Sequence, residues 1–437
     1  MSSRVWSRLR NAFLIGVGLS LAAAYAQLPP KSPEAGGDPN LGKVNTKLLR
    51  LGETARVKRA ATVREALRST PEASLFSLNA TGEGLLVEAI CTLLDDAVLR
   101  KFALPGVEVV GYYPQYKRVV LAVSDLQEIA AIAKISEVAM VEPVYRPHIA
   151  SQGAADSRAD RALRAESLPL FGVDGRGVRV GVISDSFSWT SNVRDTDTVP
   201  AQGQAGILEN SKPQKSGDLP SSVTIVRDDL PGNDEGAAMA ELIHDVAPGA
   251  AIAFHTALGG EASFADAIHR LRTEAGCHII VDDVIYYKEP MYQDGFVAQA
   301  AAAATGANVA YFSAAGNAGN LAIRSPYRDV NRRQSEAKLP PTGKDLHDWG
   351  GRNPYLPITF GPSGGSVTIV LQWNQPFFSL NPVPGKSGSK IDLDMYLLAS
   401  PSPSEFATPL AFSREGQGAS YLPLGDPVDD EIDFDML

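Results

Sequence analysis

Three stretches of the sequence hold side chains that can move a proton or stabilise a developing negative charge. In Val178-Arg179-Val180-Gly181-Val182-Ile183-Ser184-Asp185, a carboxyl group follows directly on an apolar run. In Asn233-Asp234-Glu235-Gly236-Ala237-Ala238-Met239, Glu235 falls in the first turn of a helix, where the dipole favours a carboxylate. In Tyr311-Phe312-Ser313-Ala314-Ala315-Gly316-Asn317, an apolar run ends in small residues and a side-chain amide, a donor suited to an oxyanion. Each piece also has an ordinary reading. An Asp after a strand caps or turns the chain, a Glu in the first helical turn complements the dipole, and Gly-Asn is a common turn.

Other candidates weigh less. His244 lies nine residues after Glu235, about 180° round a helix turning ~100° per residue, and reads as a surface or helix-end residue. Asp282 and Asp283 follow an apolar run and either flank a cleft or cap the next turn. Ser420, in Gly418-Ala419-Ser420-Tyr421-Leu422-Pro423, precedes Pro423 and Gly425, which break any helix carrying it. Cys91 and Cys277 form no disulfide framework and no zinc spacing, and read as small buried hydrophobes.

The elements that must position these residues alternate. Strands are predicted at 178–184, 223–226, 251–255, 278–284 and 308–312, with helices at 234–245, 264–275 and 292–304. That alternation implies an α/β fold with a parallel sheet, right-handed crossovers and functional residues at the strands' carboxyl ends. Upstream, 44–147 mixes helix and strand, with strands at 107–111, 119–123 and 138–141 and a capping-box helix start at Ser124-Asp125-Leu126-Gln127. Downstream, 366–373 and 391–397 alternate as strands of an all-β insertion. The acidic run Asp429-Asp430-Glu431-Ile432-Asp433-Phe434-Asp435 reads as a solvated tail, without the spacing of a calcium loop.

Taken in order and spacing, Asp185, Glu235-Gly236 and Ala315-Gly316-Asn317 resemble the subtilase (subtilisin/sedolisin) superfamily of serine peptidases, over roughly residues 172–320. The resemblance implies that Asp185 matches the triad aspartate, Glu235 stands where typical members have a base histidine, and Asn317 matches the oxyanion-hole donor. Sedolisins use Glu at that position with an Asp one turn later, but here that residue is Met239. Two neighbouring buried carboxyls share one proton and favour an acidic optimum. The family's Gly-Thr-Ser-x-Ala nucleophile motif has no counterpart, so the acid/base pair has no serine to activate within these residues.

The expected fold is thus a subtilisin-like parallel sheet with helices on both faces. An α+β propeptide-like domain precedes it and a partial all-β sandwich insertion interrupts it. The expected divisions are a signal peptide at 1–26, the propeptide-like domain at 27–150, an incomplete peptidase core at 151–325 and a truncated insertion at 326–437. Arg4, Arg8 and Arg10, the apolar stretch 12–24 and Ala24-Tyr25-Ala26 carry the signal reading, which places the mature chain in the periplasm or outside the cell.

The net charge of −10 and the lack of a basic stripe argue against nucleic acid. No Gly-rich loop joins a strand to a helix, so a dinucleotide- or phosphate-binding enzyme is disfavoured, and the reading calls for no cofactor and no metal. The expected partners are a peptide or protein substrate and the chain's own propeptide-like segment. The alternative is a non-catalytic exported protein that binds peptides or wall polymers on the same scaffold.

Overall fold

The computed structural model describes residues 39–68, 76–145, 148–149, 157, 159–165, 167–194, 200, 203–317, 319, 321–330, 346–359, 365–382, 388–391, 393–402, 409–413 and 428–436. The signal-peptide reading of 1–26 and the Ser420 string lie outside them. Among the described residues, no helix is long and apolar enough to cross a membrane.

The amino-terminal unit comprises helices α1 (Thr46–Lys58) and α2 (Val63–Arg68), strands β1 (Leu85–Cys91), β2 (Val107–Tyr113) and β3 (Arg118–Val123), helix α3 (Glu128–Ala133) and strand β4 (Val138–Pro143). The sheet runs β2-β3-β1-β4, with every neighbouring pair antiparallel. One face, with Val87, Ala89, Val119 and Leu121, packs on Leu48, Leu51, Leu67, Ile129 and Ile132 of the helices. The other, with Leu86, Val120 and Ala122, meets Leu230 and Ala262 of the following unit. Because β1 is covered on both faces, its sequence Leu-Leu-Val-Glu-Ala-Ile-Cys lacks clean alternation, which is why sequence reading passed over this central strand. The capping box does not form. Ser124 donates to the Gly106 carbonyl at 3.1 Å, Asp125 accepts from the Gln127 N–H, and the helix starts at Glu128.

The second unit holds strands β6 (Arg179–Ser184), β7 (Gly206–Leu208), β8 (Val223–Arg227), β9 (Ala251–Thr256), β10 (Ile279–Asp282) and β12 (Ala310–Ser313). Its helices are α4 (Glu235–Val246), α5 (Glu261–Thr273) and α6 (Phe296–Gly306). The six strands lie in the order β12-β10-β6-β9-β8-β7, all neighbours parallel except β7 with β8. The sheet is therefore mixed, not purely parallel, because the β6–β8 connection adds an antiparallel edge strand. Successive residues of one strand face opposite sides. Val182, Ile252 and Phe254 pack with Ala237 and Ala240 of α4, whereas Ile183, Ala253 and Ile280 pack with Phe264, Ile268 and Leu271 of α5 and Ala304 of α6.

The predicted strand over 278–284 breaks at Asp283. Beyond it, the two-residue strand β11 (Val284–Ile285) pairs antiparallel with β5 (His148–Ile149), on the chain just past the amino-terminal unit. The two units also join through polar contacts. The Arg227 guanidinium donates to the Tyr113 hydroxyl at 2.8 Å, and Lys288 pairs with Glu142 at 2.6 Å. Arg118, 1 % exposed, pairs with Glu88 at 3.2 Å and lies 4.8 Å from the Phe296 ring centre.

In the remaining segment, β13 (Gly365–Gln372) pairs antiparallel with β16 (Val428–Met436), and β14 (Met395–Leu397) with β15 (Ala411–Ser413). The acidic run read as a solvated tail is a strand in this pairing. The segment touches both units. Arg118 donates to the Ser379 carbonyl, and the Gln372 amide donates to the carbonyls of Tyr287 at 2.7 Å and Glu289 at 3.1 Å and accepts from Met291 N–H at 3.0 Å.

Candidate active site

The strand order reverses at β6. After β8 and β9 fill one side, the chain crosses to place β10 on the other. A crevice opens outside the carboxyl ends at such a switch point. Asp185 lies one residue past β6. Asp283 lies one residue past β10, and the register pairs Ile183 with Asp282. Two of the expected site residues therefore meet here, together with a third carboxylate.

Asp185 is buried and is bonded to backbone. Oδ1 accepts from the N–H of Ser186 at 2.5 Å and of Glu235 at 3.0 Å, and Oδ2 accepts from the N–H of Asn233. It thus caps the start of α4 from a neighbouring strand, satisfying N–H groups that a helix leaves without partners. Burial raises its pKa, while the three N–H donors act the other way.

The two loops are clasped reciprocally. Asp234, in the left-handed region at φ 62°, accepts from the N–H of Trp189 and Thr190 and from the Ser186 hydroxyl, each at 2.7 Å. The Asp234 N–H returns a bond to that hydroxyl at 2.8 Å. Asp228 accepts from Ser188 N–H at 2.9 Å and from its hydroxyl at 3.0 Å. Burial pushes the Asp228 carboxyl up to about 6. The contact admits no side chain at two glycines. A Cβ on Gly232 would stand 2.6 Å from Oδ2 of Asp185, and one on Gly236 would stand 2.7 Å from the Ser186 carbonyl oxygen.

Glu235 is the first residue of α4 and is half-buried. Its pKa is pushed up to about 7, first by burial and then by the charges of Asp283 and Asp185. Asp283 is pushed up to about 6 by burial, with Asp185 and Asp282 adding to the rise. The Ser184 hydroxyl lies near enough to oppose that shift, yet forms no hydrogen bond of normal geometry, and Oδ1 of Asp283 is buried without a partner. A carboxyl group that titrates near neutrality can both accept and donate a proton in one catalytic cycle. Among the described residues, no group of three His, Cys, Asp or Glu side chains is placed to hold a metal ion.

The remaining candidates separate cleanly. Asp282 accepts from the hydroxyls of Tyr311 at 2.6 Å and Ser313 at 3.0 Å, bracing β12 against β10. Asn317 lies four residues past β12, at the same end of the sheet. It is exposed, and among the described residues no hydrogen bond ties it to Asp185 or Glu235. His244 is half-buried among Asp245 and Asp218, with burial lowering its pKa, and plays no part in this crevice. His255 is fully buried on β9, its Nδ1 2.7 Å from the Thr256 carbonyl oxygen, and burial drives it down to about 3. Cys91 and Cys277 are free and buried, their thiols pushed up to about 12 by burial.

Sequence reasoning weighed Asp283 as flanking a cleft or capping a turn but did not count it with Asp185, Glu235 and Asn317. The available signal was the doubled Asp at a strand end, where successive side chains point to opposite sides. The chain matches no protein-family model, and it matches no curated protein at a significant level.

Proposed function

We propose that this chain is an exported precursor carrying the acid/base part of a subtilase-type serine endopeptidase. The observation that carries the reading is Glu235, a half-buried carboxyl at the start of α4, fixed by Asp185 at the switch point of the sheet. In the proposed mechanism Glu235 deprotonates a serine hydroxyl, which attacks the peptide carbonyl, and then returns the proton to the leaving amine. Asp185 fixes Glu235 through its backbone, and Asn317 donates to the tetrahedral oxyanion.

The reading requires a serine nucleophile that the motifs named above do not supply. Among the described residues β12 is terminal in its sheet, and Phe312 on it is 61 % exposed, leaving an edge beside which such a serine would be presented. The pairing of β5 with β11 supports a propeptide role for the amino-terminal unit, because it places that unit's exit strand beside Asp283.

The test has two arms. The 437-residue chain should not react with a fluorophosphonate serine probe, and labelling would reveal an unrecognised nucleophile. The reading is falsified if the reading frame past codon 437 encodes no Gly-Thr-Ser-type helix.

A further inference from the structure

Where the parallel ladder of β6 and β9 ends, side-chain hydroxyls take over from main-chain donors. The register pairs Ser184 with Thr256, and the Ala257 N–H closes the ladder on the Ser184 carbonyl at 2.7 Å. The next carbonyl along the chain is that of Asp185, and it accepts from the Thr256 hydroxyl. The same hydroxyl accepts from the Leu258 N–H at 3.1 Å. A hydroxyl carries one proton, so a lone pair committed to Leu258 leaves that proton to the Asp185 carbonyl. Thr256 is 0 % exposed and Asp185 2 %, so water cannot replace either partner.

The loop 257–260 repeats the pattern one step further out. The Tyr286 hydroxyl accepts from the Gly260 N–H at 3.1 Å and donates to the Ala257 carbonyl at 2.9 Å. The Ser263 hydroxyl donates to the Leu258 carbonyl at 3.0 Å. Tyr286 is buried and directly follows β11. One set of hydrogen bonds therefore runs from the strand on which β5 docks, through this loop, to the Asp185 carbonyl. From Oδ1 of Asp185 it continues to the N–H of Glu235 at 3.0 Å.

We propose that Thr256 and Tyr286 are positioning residues of this crevice. Thr256 sets the main chain from which the Asp185 carboxylate reaches α4, and Tyr286 sets the loop that aims the Thr256 hydroxyl. The proposal rests on reading Glu235 as the base of this site. The Asp185 carbonyl and the Ser186 N–H belong to one rigid peptide plane. The bond from Thr256 on one edge of that plane and the bond to Oδ1 of Asp185 on the other are thus set together. Removing the Thr256 hydroxyl strands two main-chain groups in a buried setting, the Asp185 carbonyl and the Leu258 N–H. Rotating the plane to relieve the carbonyl carries the Ser186 N–H away from Oδ1, and the carboxylate loses its aim at the Glu235 N–H.

The experiment is amide hydrogen exchange on the full chain and on Thr256→Val, Thr256→Ser and Tyr286→Phe. In Thr256→Val the amides of Asn233 and Glu235 should exchange about tenfold faster relative to Ile268, whose amide in α5 reports general opening. Thr256→Ser keeps the hydroxyl and should restore the parent rates. Tyr286→Phe should speed exchange at Gly260 first and at Glu235 by a smaller factor. No rise at Glu235 in Thr256→Val, or a rise equal to that at Ile268, overturns the proposal. A faster Gly260 with an unmoved Glu235 in Tyr286→Phe rejects the part assigned to Tyr286. If Thr256→Val does not fold, Thr256→Ala and Tyr286→Phe carry the same contrast.

Exchange needs no turnover, so it separates the two readings. Faster exchange at Glu235 with no peptide hydrolysis by any form of the chain keeps the positioning role and rejects the peptidase. Hydrolysis with an unmoved Glu235 amide does the reverse. In a form active on peptides, Thr256→Val should lower kcat about tenfold with KM unchanged, and Thr256→Ser should recover it.

Discussion

The N–H of Glu235 donates to Oδ1 of Asp185 at 3.0 Å, joining the end of β6 to the main chain of α4. Replacing Asp185 with Ala removes the acceptor of three N–H groups in a buried setting. Hydrogen bonds to a charged acceptor contribute ~1.5–3 kcal/mol each and are not additive, so we expect a loss of about 3 kcal/mol of stability. Denaturant melts measure the loss, and amide exchange should locate it at Asn233 and Glu235 before the rest of α4. A variant as stable as the parent would rule out the capping role.

Stability should fall as pH rises from about 4 to about 7. Glu235 and Glu289 are each pushed up to about 7, and Asp228 and Asp283 to about 6, with burial the first cause in all four. Their unfolded values lie near 4, so across this window the folded chain binds more protons than the unfolded one. Its stability is then greatest at the acid end and is lost as pH rises through the folded values. Thermal melts at pH 4.5 and 7.5 check the sign, with the higher Tm expected at pH 4.5.

Gln372 reaches from β13 to three backbone groups of the loop that leaves β11. Gln372→Ala should free the amide of Met291 and raise its exchange rate by tenfold or more, with a Tm change of only a few degrees. Exchange confined to β13 would mean that the β segment does not brace this loop.

Arg118 joins three parts of the molecule: Glu88 beside it, the Phe296 ring of α6 and the Ser379 carbonyl. Removing one member of a buried ion pair costs ~3–5 kcal/mol, whereas removing both with apolar or neutral shapes costs far less. Arg118→Met alone should therefore destabilise the docking of the amino-terminal unit strongly, and Glu88→Gln in the same chain should recover part of it. Exchange protection of β11, whose partner strand follows that unit, is the readout. Equal protection in both chains would show that Arg118 does not hold the interface.

Much of the α/β unit was readable because its strands are apolar runs and its helices carry apolar stripes. The Val182/Ile183 pair splits between the two faces as period-2 geometry demands, and Leu271 and Ile268 take the α5 stripe. Asp185 and Glu235 were legible as neighbours because both fall where an α/β sheet places its crevice. Their relation was not. Which atom of Glu235 meets Asp185 depends on the clasp of two loops separated by some 45 residues, and no local pattern encodes it. Asp283 was weighed with Asp282 as flanking a cleft or capping a turn, but was not placed with Asp185 and Glu235. The doubled Asp marks the break between β10 and β11, but Val284 and Ile285 resume apolar residues, so sequence reading carries the strand on through Val284. The acidic strand β16 was passed over because its charges outweigh the period-2 signal of Ile432 and Phe434.

The clasp itself constrains how the sequence can change. Asp185 serves the backbone of the 233–235 loop, Asp234 serves that of 189–190, and Ser186 both gives to and receives from Asp234. No member can be exchanged alone without stranding a partner on the other loop. The two loops therefore hold their geometry only as one piece. Substitutions across them should show strong epistasis, and a graft of this crevice onto another scaffold would have to carry both loops together.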